Sequence, residues 1–335
     1  MSQAAAISPS PHATPSAPGN GVVILANPYS GSGPNRKHVQ RLEAALQDLG
    51  HTPHTVWSRD ERQTLLSDPA LPDRCGCVVS AGGDGSLSGV LNILDTAGTL
   101  SRVSLYHFPV GNENLFAAEV GHTRDPQPAA QAIARSLPVN TQTPEHRNID
   151  LGRATLSNDP THSHLFHLML SAGFDAEVVR RMDDWRTAPT DGRLRRVSTA
   201  RYVPRTLAAL ARYRYPTVTL TPHDGPALTG AHAFVFNLPR YGGGLRLGSA
   251  ADYTDGQLDY LVLTRPGLFA LARYGLTVLL NRHLKTPHIQ HGRATQLTLQ
   301  TDAPLQIDGD RLPNAGPLKI TAQPQALRIC SPARA

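Results

Sequence analysis

Cysteine and long apolar runs are both scarce in this sequence, and each scarcity excludes something. Three cysteines in 335 residues build no disulfide framework. Two of them form Cys75-Gly-Cys77, but no second such pair exists to complete a zinc ribbon, so reduced, buried thiols are expected. The longest apolar stretch, Leu268 to Leu280, falls short of the roughly 18 to 20 residues a membrane span needs and holds Arg273 and Tyr274 in its middle. It reads as an amphipathic or buried helix. The first nineteen residues, rich in Ala, Ser, Pro and Gly, offer neither a basic region nor an apolar core of the secretory kind, and the first arginine is Arg36. A disordered tail over 1–19 and a soluble, cytoplasmic protein are the expectations.

No zinc-finger, RNA-recognition or basic-zipper pattern is present, which ranks nucleic acid last among partners. A formal charge of +6 still favours an anionic one, either a nucleotide or an anionic membrane surface. The length suits two cores, since single cores stop growing near about 250 to 300 residues.

From Gly21 onward apolar strands alternate with helical segments: GVVILA, a helix from about Arg36 to Leu49, CGCVVS, a helix after Ser86, and VSLYHF. This βαβαβ rhythm predicts a parallel sheet covered by helices, with ligands beyond the carboxyl ends of the strands. After about Pro144 the pattern changes to short strands such as HLFHLMLSAGF, TVTLTP, HAFVFNLP, QLDYLVLT and QLTLQTD. Helices are expected at Asp175 to Trp185, Tyr202 to Tyr213 and Gly267 to Leu284, so this half reads as a β-sandwich with helical insertions. The expected division is an α/β nucleotide-binding domain over 20–143 and a β-sandwich substrate domain over 144–319.

Three strand-end loops stand where ligands should bind. In Gly82-Gly83-Asp84-Gly85, glycines let backbone N–H groups approach an anion while the next helix directs its positive end at it. A carboxylate beside phosphates is repulsive unless a cation bridges them or it handles a proton, so Asp84 implies Mg²⁺ or a hydroxyl nucleophile. Ser30-Gly31-Ser32-Gly33 can add donors, yet it is neither a Walker A loop nor a G-x-G-x-x-G fingerprint. Gly111-Asn112-Glu113-Asn114 supplies amides and a carboxylate at the third strand end.

Together these residues resemble the diacylglycerol kinase catalytic family, which includes bacterial lipid kinases and sphingosine and ceramide kinases. Its Asn-Pro-x-(x)-Gly-x-Gly loop is similar to Asn27-Pro28 through Gly33, its Gly-Gly-Asp-Gly-Thr turn to Gly82 through Ser86, and its Pro-x-Gly-Thr-x-Asn-x-x-Ala loop to Pro109 through Ala117. Gly173 to Val178 resembles a segment of its lipid domain. Asn237 to Gly244 with Ala251 to Gly256 resembles its magnesium loop, and Ile307-Asp-Gly-Asp310 stands where the family has Asp-Gly-Glu.

The resemblance implies a three-layer α/β nucleotide domain like those of NAD kinases and phosphofructokinases, a C-terminal β-sandwich lipid domain, an active site between them, and a C-terminal segment, 320–335, that returns to the first domain. It also implies ATP and Mg²⁺ as cofactors, a lipid substrate at a membrane surface, and a homodimer. Nucleotide contacts would come from Asn27, Pro28, Ser30, Gly31, Gly33, Ser58, Gly82, Gly83, Gly85, Ser86, Gly111, Asn112 and Asn114. Asp84 would organise nucleotide and metal, Asp308 or Asp310 would serve as general base, and Asp255 with backbone oxygens of Asp252 and Gln257 would hold a structural Mg²⁺. Ser88-Gly89 replaces the Asn-Glu usual after the second loop, Asn112 replaces a threonine, and Asp310 replaces a glutamate with an arm one methylene longer.

Other features have plainer readings. His162, His164 and His167 do not make a metal set, because a strand sends the odd one to the opposite face. The arginines from Arg193 to Arg214 are either a solvated helical face or an attractor of anionic headgroups. Glu177 either faces a headgroup or caps an exposed helix start. Two rival functions stay open: a kinase for a soluble acceptor, as in NAD kinases, and a non-catalytic lipid- or nucleotide-binding protein.

Overall fold

The computed structural model describes residues 19–27, 35–138, 143–187 and 213–332. Four strands, β1 (Gly21–Ala26), β2 (His54–Val56), β3 (Cys75–Gly82) and β4 (Ser104–Pro109), run parallel in the order β2-β1-β3-β4. Every residue of β3 is buried, as expected of a central parallel strand covered on both faces. Alternation along β1 divides those faces. Val22, Ile24 and Ala26 pack with helices α1 (Asn35–Asp48) and, across the strands, α6 (Pro126–Ser136). Val23 and Leu25 pack on the other side, with α2 (Arg59–Leu66), α4 (Asp84–Thr96) and α5 (Leu115–Val120). A short turn of helix, α3 (Leu71–Arg74), leads into β3. The result is a three-layer α/β arrangement.

The parallel sheet does not stop at β4. The long β16 (Leu318–Cys330) lies parallel to β4 through Ile329 and Leu105, then antiparallel to β5 (His146–Leu156) and β13 (Gln296–Thr301). With β6 (Asp159–Phe166), β8 (Val218–Pro222) and β9 (Leu228–Gly230) this makes ten strands. Six more form an antiparallel sheet in the order β12-β11-β10-β7-β14-β15. They are β7 (Met169–Ala172), β10 (His232–Phe236), β11 (Leu258–Leu263), β12 (Ile289–Ala294), β14 (Leu305–Ile307) and β15 (Asp310–Leu312). Leu170, Ala172, Ala233 and Val235 of this sheet pack against Leu297, Leu299, Leu318 and Ile320 of the larger one, which is the core of the β-sandwich.

Two further helices lie on the six-stranded sheet, α7 (Phe174–Thr187) and α8 (Leu268–Leu279). The helix expected to reach Leu284 ends earlier, where Asn281 takes a left-handed φ of 52°. Apart from Tyr213, the helix expected at Tyr202 to Tyr213 lies outside the described residues, as does most of the arginine stretch. Strands β5 and β16 escape a reading by alternation because their burial is irregular and each contains a register shift or bulge. The cysteines are free and buried, and burial pushes the Cys75 thiol up to about 11.

One buried carboxylate joins three segments. Asp150 in β5 accepts from Gly256 N at 2.6 Å and Gln325 N at 2.7 Å, while its own N–H donates to Tyr253 O. Asp150→Ala would strand two backbone donors, and an unmet buried donor costs about 1 to 3 kcal/mol. Urea unfolding should therefore show a loss of about 2 to 5 kcal/mol; an unchanged midpoint would contradict this role.

Candidate active site

Because β1, β2, β3 and β4 run parallel, their carboxyl ends lie along one edge, and the expected nucleotide loops follow them there. Asn27 leaves β1, and its Nδ2 donates to Ser86 Oγ at 3.0 Å, joining the first loop to the second. Ser58 follows β2 as the N-cap of α2, where its Oγ accepts from Glu61 N. Gly82 ends β3, Gly83 caps α4, and Asp84 opens that helix. Pro28, Ser30, Gly31 and Gly33 lie outside the described residues.

The second and third loops touch backbone to backbone. Val110 N and Gly111 N both donate to Gly82 O at 3.1 Å, and a Cβ on Gly111 would collide with Gly83 Cα. Only glycine fits there. Asn114, at a left-handed φ of 52°, folds its amide back onto Gly111, accepting from its N–H and donating to its carbonyl. Asn112 is exposed at the tip. Asp84 fixes the pair of loops: its Oδ2 accepts from Leu115 N at 2.9 Å and its Oδ1 from Phe116 N at 3.1 Å, both at the start of α5. Gly89, at the Ser88-Gly89 departure, faces open space, while Asn92 one turn on clamps α4 to Leu165 of β6.

From the sandwich comes the β14–β15 hairpin. Ile307 pairs with Asp310, leaving Asp308 and Gly309 as a two-residue loop with φ of 50° and 86°, the positive values a type I′ turn demands. The Asp308 carboxylate is wholly buried and accepts from three backbone donors, His167 N at 2.9 Å, Leu168 N at 2.9 Å and Met169 N at 3.0 Å. Its Oδ2 also lies 2.7 Å from His167 Nδ1, an ion pair whenever the imidazole is protonated. Asp310, by contrast, is exposed, and its Oδ2 stands 3.8 Å from where a Cβ on Gly85 would be. Asp310 thus lies beside the first turn of α4.

Between these elements lies a cavity of about 350 Å³. One part of its wall is acidic: among the described residues Asp84, Glu113, Asp175, Asp183, Asp308 and Asp310 stand with Arg240 and Arg311. The other is apolar, with Leu115, Leu168, Met169, Val179 and Met182. Several wall residues were not singled out from sequence. Asp175 accepts from Ser171 Oγ at 2.6 Å and Gln306 Nε2 at 3.0 Å and is in short contact with Tyr241 OH. Arg240 pairs with Glu119 at 2.7 Å, so a residue of α5 holds the far rim. Asp175 stands inside the Gly173–Val178 segment, so the signal was present there. Glu177 in that segment is paired with Arg180 and Arg181 within α7 and does not line the cavity. Burial opposes its ionisation, but the two arginines outweigh this and hold its carboxyl below the usual range.

The expected magnesium loop is separate from this wall. Asp255 Oδ1 accepts from Gln257 N at 2.9 Å, and its Oδ2 lies 3.1 Å from Arg293. Asp252 O accepts from Asp255 N, and its carboxylate from Thr254. One carboxylate with main-chain oxygens is a hard donor set that fits Mg²⁺, which would share Asp255 with Arg293. Among the described residues no group of three or more His, Cys, Asp and Glu could hold a metal. His162 instead pairs with Asp159, and His167 with Asp308.

Comparison with known proteins agrees with this geometry. Residues 21–143 match the model of the diacylglycerol kinase catalytic domain, and 169–331 that of the YegS C-terminal NAD kinase beta sandwich-like domain. A protein named diacylglycerol kinase from Mycobacterium tuberculosis (strain ATCC 25618 / H37Rv) is 30% identical over 319 residues, 93% of this chain and 95% of that one. The chain belongs to the diacylglycerol kinase family. It is therefore a kinase of a lipid-kinase family. A Pseudomonas putida (strain KT2440) protein named "Probable lipid kinase YegS-like" is 27% identical over 287 residues, 83% of this chain and 84% of that one. A crystal structure of a diacylglycerol kinase from Bacillus anthracis str. Sterne shares the fold with a TM-score of 0.61 at 15% identity, covering 94% of this chain and 97% of that one. A second structure from that organism gives 0.65 at 16%, covering 94% and 98%.

The buried contact of His167 with Asp308 has a pH signature. Burial opposes protonation of His167, but the adjacent Asp308 charge, helped by Asp84 and Asp310, outweighs it and raises the imidazole above its ordinary value. Burial, with the nearby His167 second, pushes His107 down to about 3. A raised folded-state value means that the His167 contribution to stability is fully present below about pH 6.5 and fades as pH rises through the folded value. His167→Gln should therefore cost more stability at pH 6 than in mildly alkaline buffer, read as the difference in urea midpoints; an equal loss at both would show that the imidazole charge contributes nothing.

Proposed function

We propose that this kinase transfers the γ-phosphate of ATP, with Mg²⁺, to the hydroxyl of a lipid presented at a membrane surface, and that Asp310 is the general base. What supports this most is the closeness of Asp310 to Gly85 in one cavity, another part of whose wall is apolar. A phosphate held at the positive end of α4 would meet a hydroxyl beside Asp310, while Leu168, Met169, Val179 and Met182 accept hydrocarbon.

Asp308 is poorly suited to the base role, because its oxygens already accept three N–H groups and contact His167. It positions the turn so that Asp310 faces the reacting hydroxyl. Asp84 likewise acts on the loops: by holding Leu115 N and Phe116 N it aligns the donors of the third loop with those of the second. Among the described wall residues, six carboxylates against two guanidiniums would repel a polyphosphate. Magnesium, when bound with the nucleotide, would neutralise that repulsion and the charge developing in transfer. Asp255 and main-chain oxygens of Asp252 and Gln257 would hold a second, structural Mg²⁺.

The test is label transfer from γ-labelled ATP to lipids in mixed micelles, with Mg²⁺ or chelator. Asp310→Asn should lower kcat by about 10² to 10⁴ with an unchanged urea midpoint. Asp308→Ala should instead destabilise by about 2 to 5 kcal/mol, with activity lost in proportion to unfolding. Wild-type-like turnover by Asp310→Asn sinks the assignment of the base, and label in a soluble acceptor such as NAD but in no lipid sinks the lipid reading.

A further inference from the structure

Helix α8 turns apolar side chains to solvent. Leu268, Phe269, Leu276, Leu279 and the following Leu280 are exposed, Phe269 by 91% and Leu279 by 70%. At 100° per residue these five and Ala272 fall on one continuous stripe, while Tyr274 is buried on the opposite side against the sheet. A surface helix should carry polar residues on its outer face, so this stripe requires an apolar environment.

Charge indicates which environment. From Tyr260 to Thr301 the sequence contains no Asp or Glu, but it contains Arg265, Arg273, Arg282, Lys285 and Arg293. Four of these, Arg265, Arg273, Arg282 and Lys285, are exposed around α8. An apolar face on a stretch that carries exposed cations and no acid matches a bilayer of anionic lipids.

Position adds a second argument. Register pairs Phe234 with Ser171 and Leu261, and Ser171 with Gln306, so these side chains share the outer face of the six-stranded sheet. Asp175 of α7 hydrogen-bonds Ser171 and Gln306, whereas Tyr274 of α8 belongs to the cluster of Phe234, Leu261 and Leu263. Both helices therefore lie on one face, α7 beside the cavity and α8 a few strands away at about 4.8 Å per strand. Tyr241 links them, lining the cavity while its ring meets Phe234 edge-on at 6.1 Å.

We infer that α8 is a membrane-docking helix, which inserts its apolar stripe into an anionic bilayer and so brings the neighbouring cavity to its lipid. The inference rests on the lipid reading above only for its purpose; docking itself is measured without nucleotide or turnover.

The experiment is sedimentation of the full chain with phosphatidylcholine vesicles, with or without phosphatidylglycerol, alongside light scattering for oligomeric state. Wild type should bind the anionic vesicles. Phe269→Ser with Leu276→Ser should bind about ten- to a hundredfold more weakly. Arg273→Ala with Arg282→Ala should lose about tenfold at low salt, with the difference shrinking at high salt. Both variants should turn over a dispersed short-chain diacylglycerol like wild type, which separates a docking defect from failure of the kinase reading. If the apolar double variant does not fold, Phe269→Ser alone makes the comparison. Equal vesicle binding by wild type and variants, or none by wild type, overturns the inference. So does a wild-type dimer that Phe269→Ser with Leu276→Ser splits while vesicle binding stays the same, since the stripe would then be an interface between copies.

Discussion

The active-site geometry depends on two carboxylates that accept backbone N–H groups and thereby fix backbone in place. Asp84 receives the first N–H groups of α5, and Asp308 receives those of His167, Leu168 and Met169. A carboxylate accepting several N–H bonds is among the stronger polar anchors a protein can build, because each bond is charge-assisted. The two anchors are themselves in contact through their partners: Phe116, whose N–H is held by Asp84, meets the His167 ring edge-on at 5.3 Å. The α/β layers and the sandwich are thus joined at the place where Asp310 faces Gly85.

This arrangement gives the two aspartates of one short hairpin different surroundings. Positive φ at Asp308 and Gly309 turns the chain, so Asp308 points inward and Asp310, two residues on, is exposed at the start of β15. Burial and saturation make the first a support. The second is exposed beside the α4 N-terminus, where the proposed base would stand.

Much of this could be read from the sequence, and what could not has a common cause. The three loops were legible because each follows an apolar strand, and parallel strands place such loops along one edge. The Asp-Gly dipeptide before Asp310 was a legible turn signal too. The different surroundings of Asp308 and Asp310 were not legible, because the N–H groups that occupy Asp308 come from residues about 140 positions earlier. Arg240, Tyr241 and Gln306 were missed for the same reason: they reach the cavity only when β7, β10 and β14 pair. Strands β5 and β16 were missed because bulges break their alternation.

The cavity wall changes character over the reach of a single helix. Asp175 and Asp183 of α7 lie on its acidic part and Val179 and Met182 on its apolar part, so the helix presents both to one space. Spacing of four and three residues does this, since positions 175, 179, 182 and 183 share a helical face. A hydroxyl attached to hydrocarbon meets both demands at once: the tail is desolvated by the apolar side while the hydroxyl stays among carboxylates. A wholly polar acceptor would leave Val179, Met182, Leu168 and Met169 without apolar partners, and burying its polar groups there unpaired would cost about 1 to 3 kcal/mol each. The proposed preference for lipid therefore rests on the spacing along α7 as much as on any single residue.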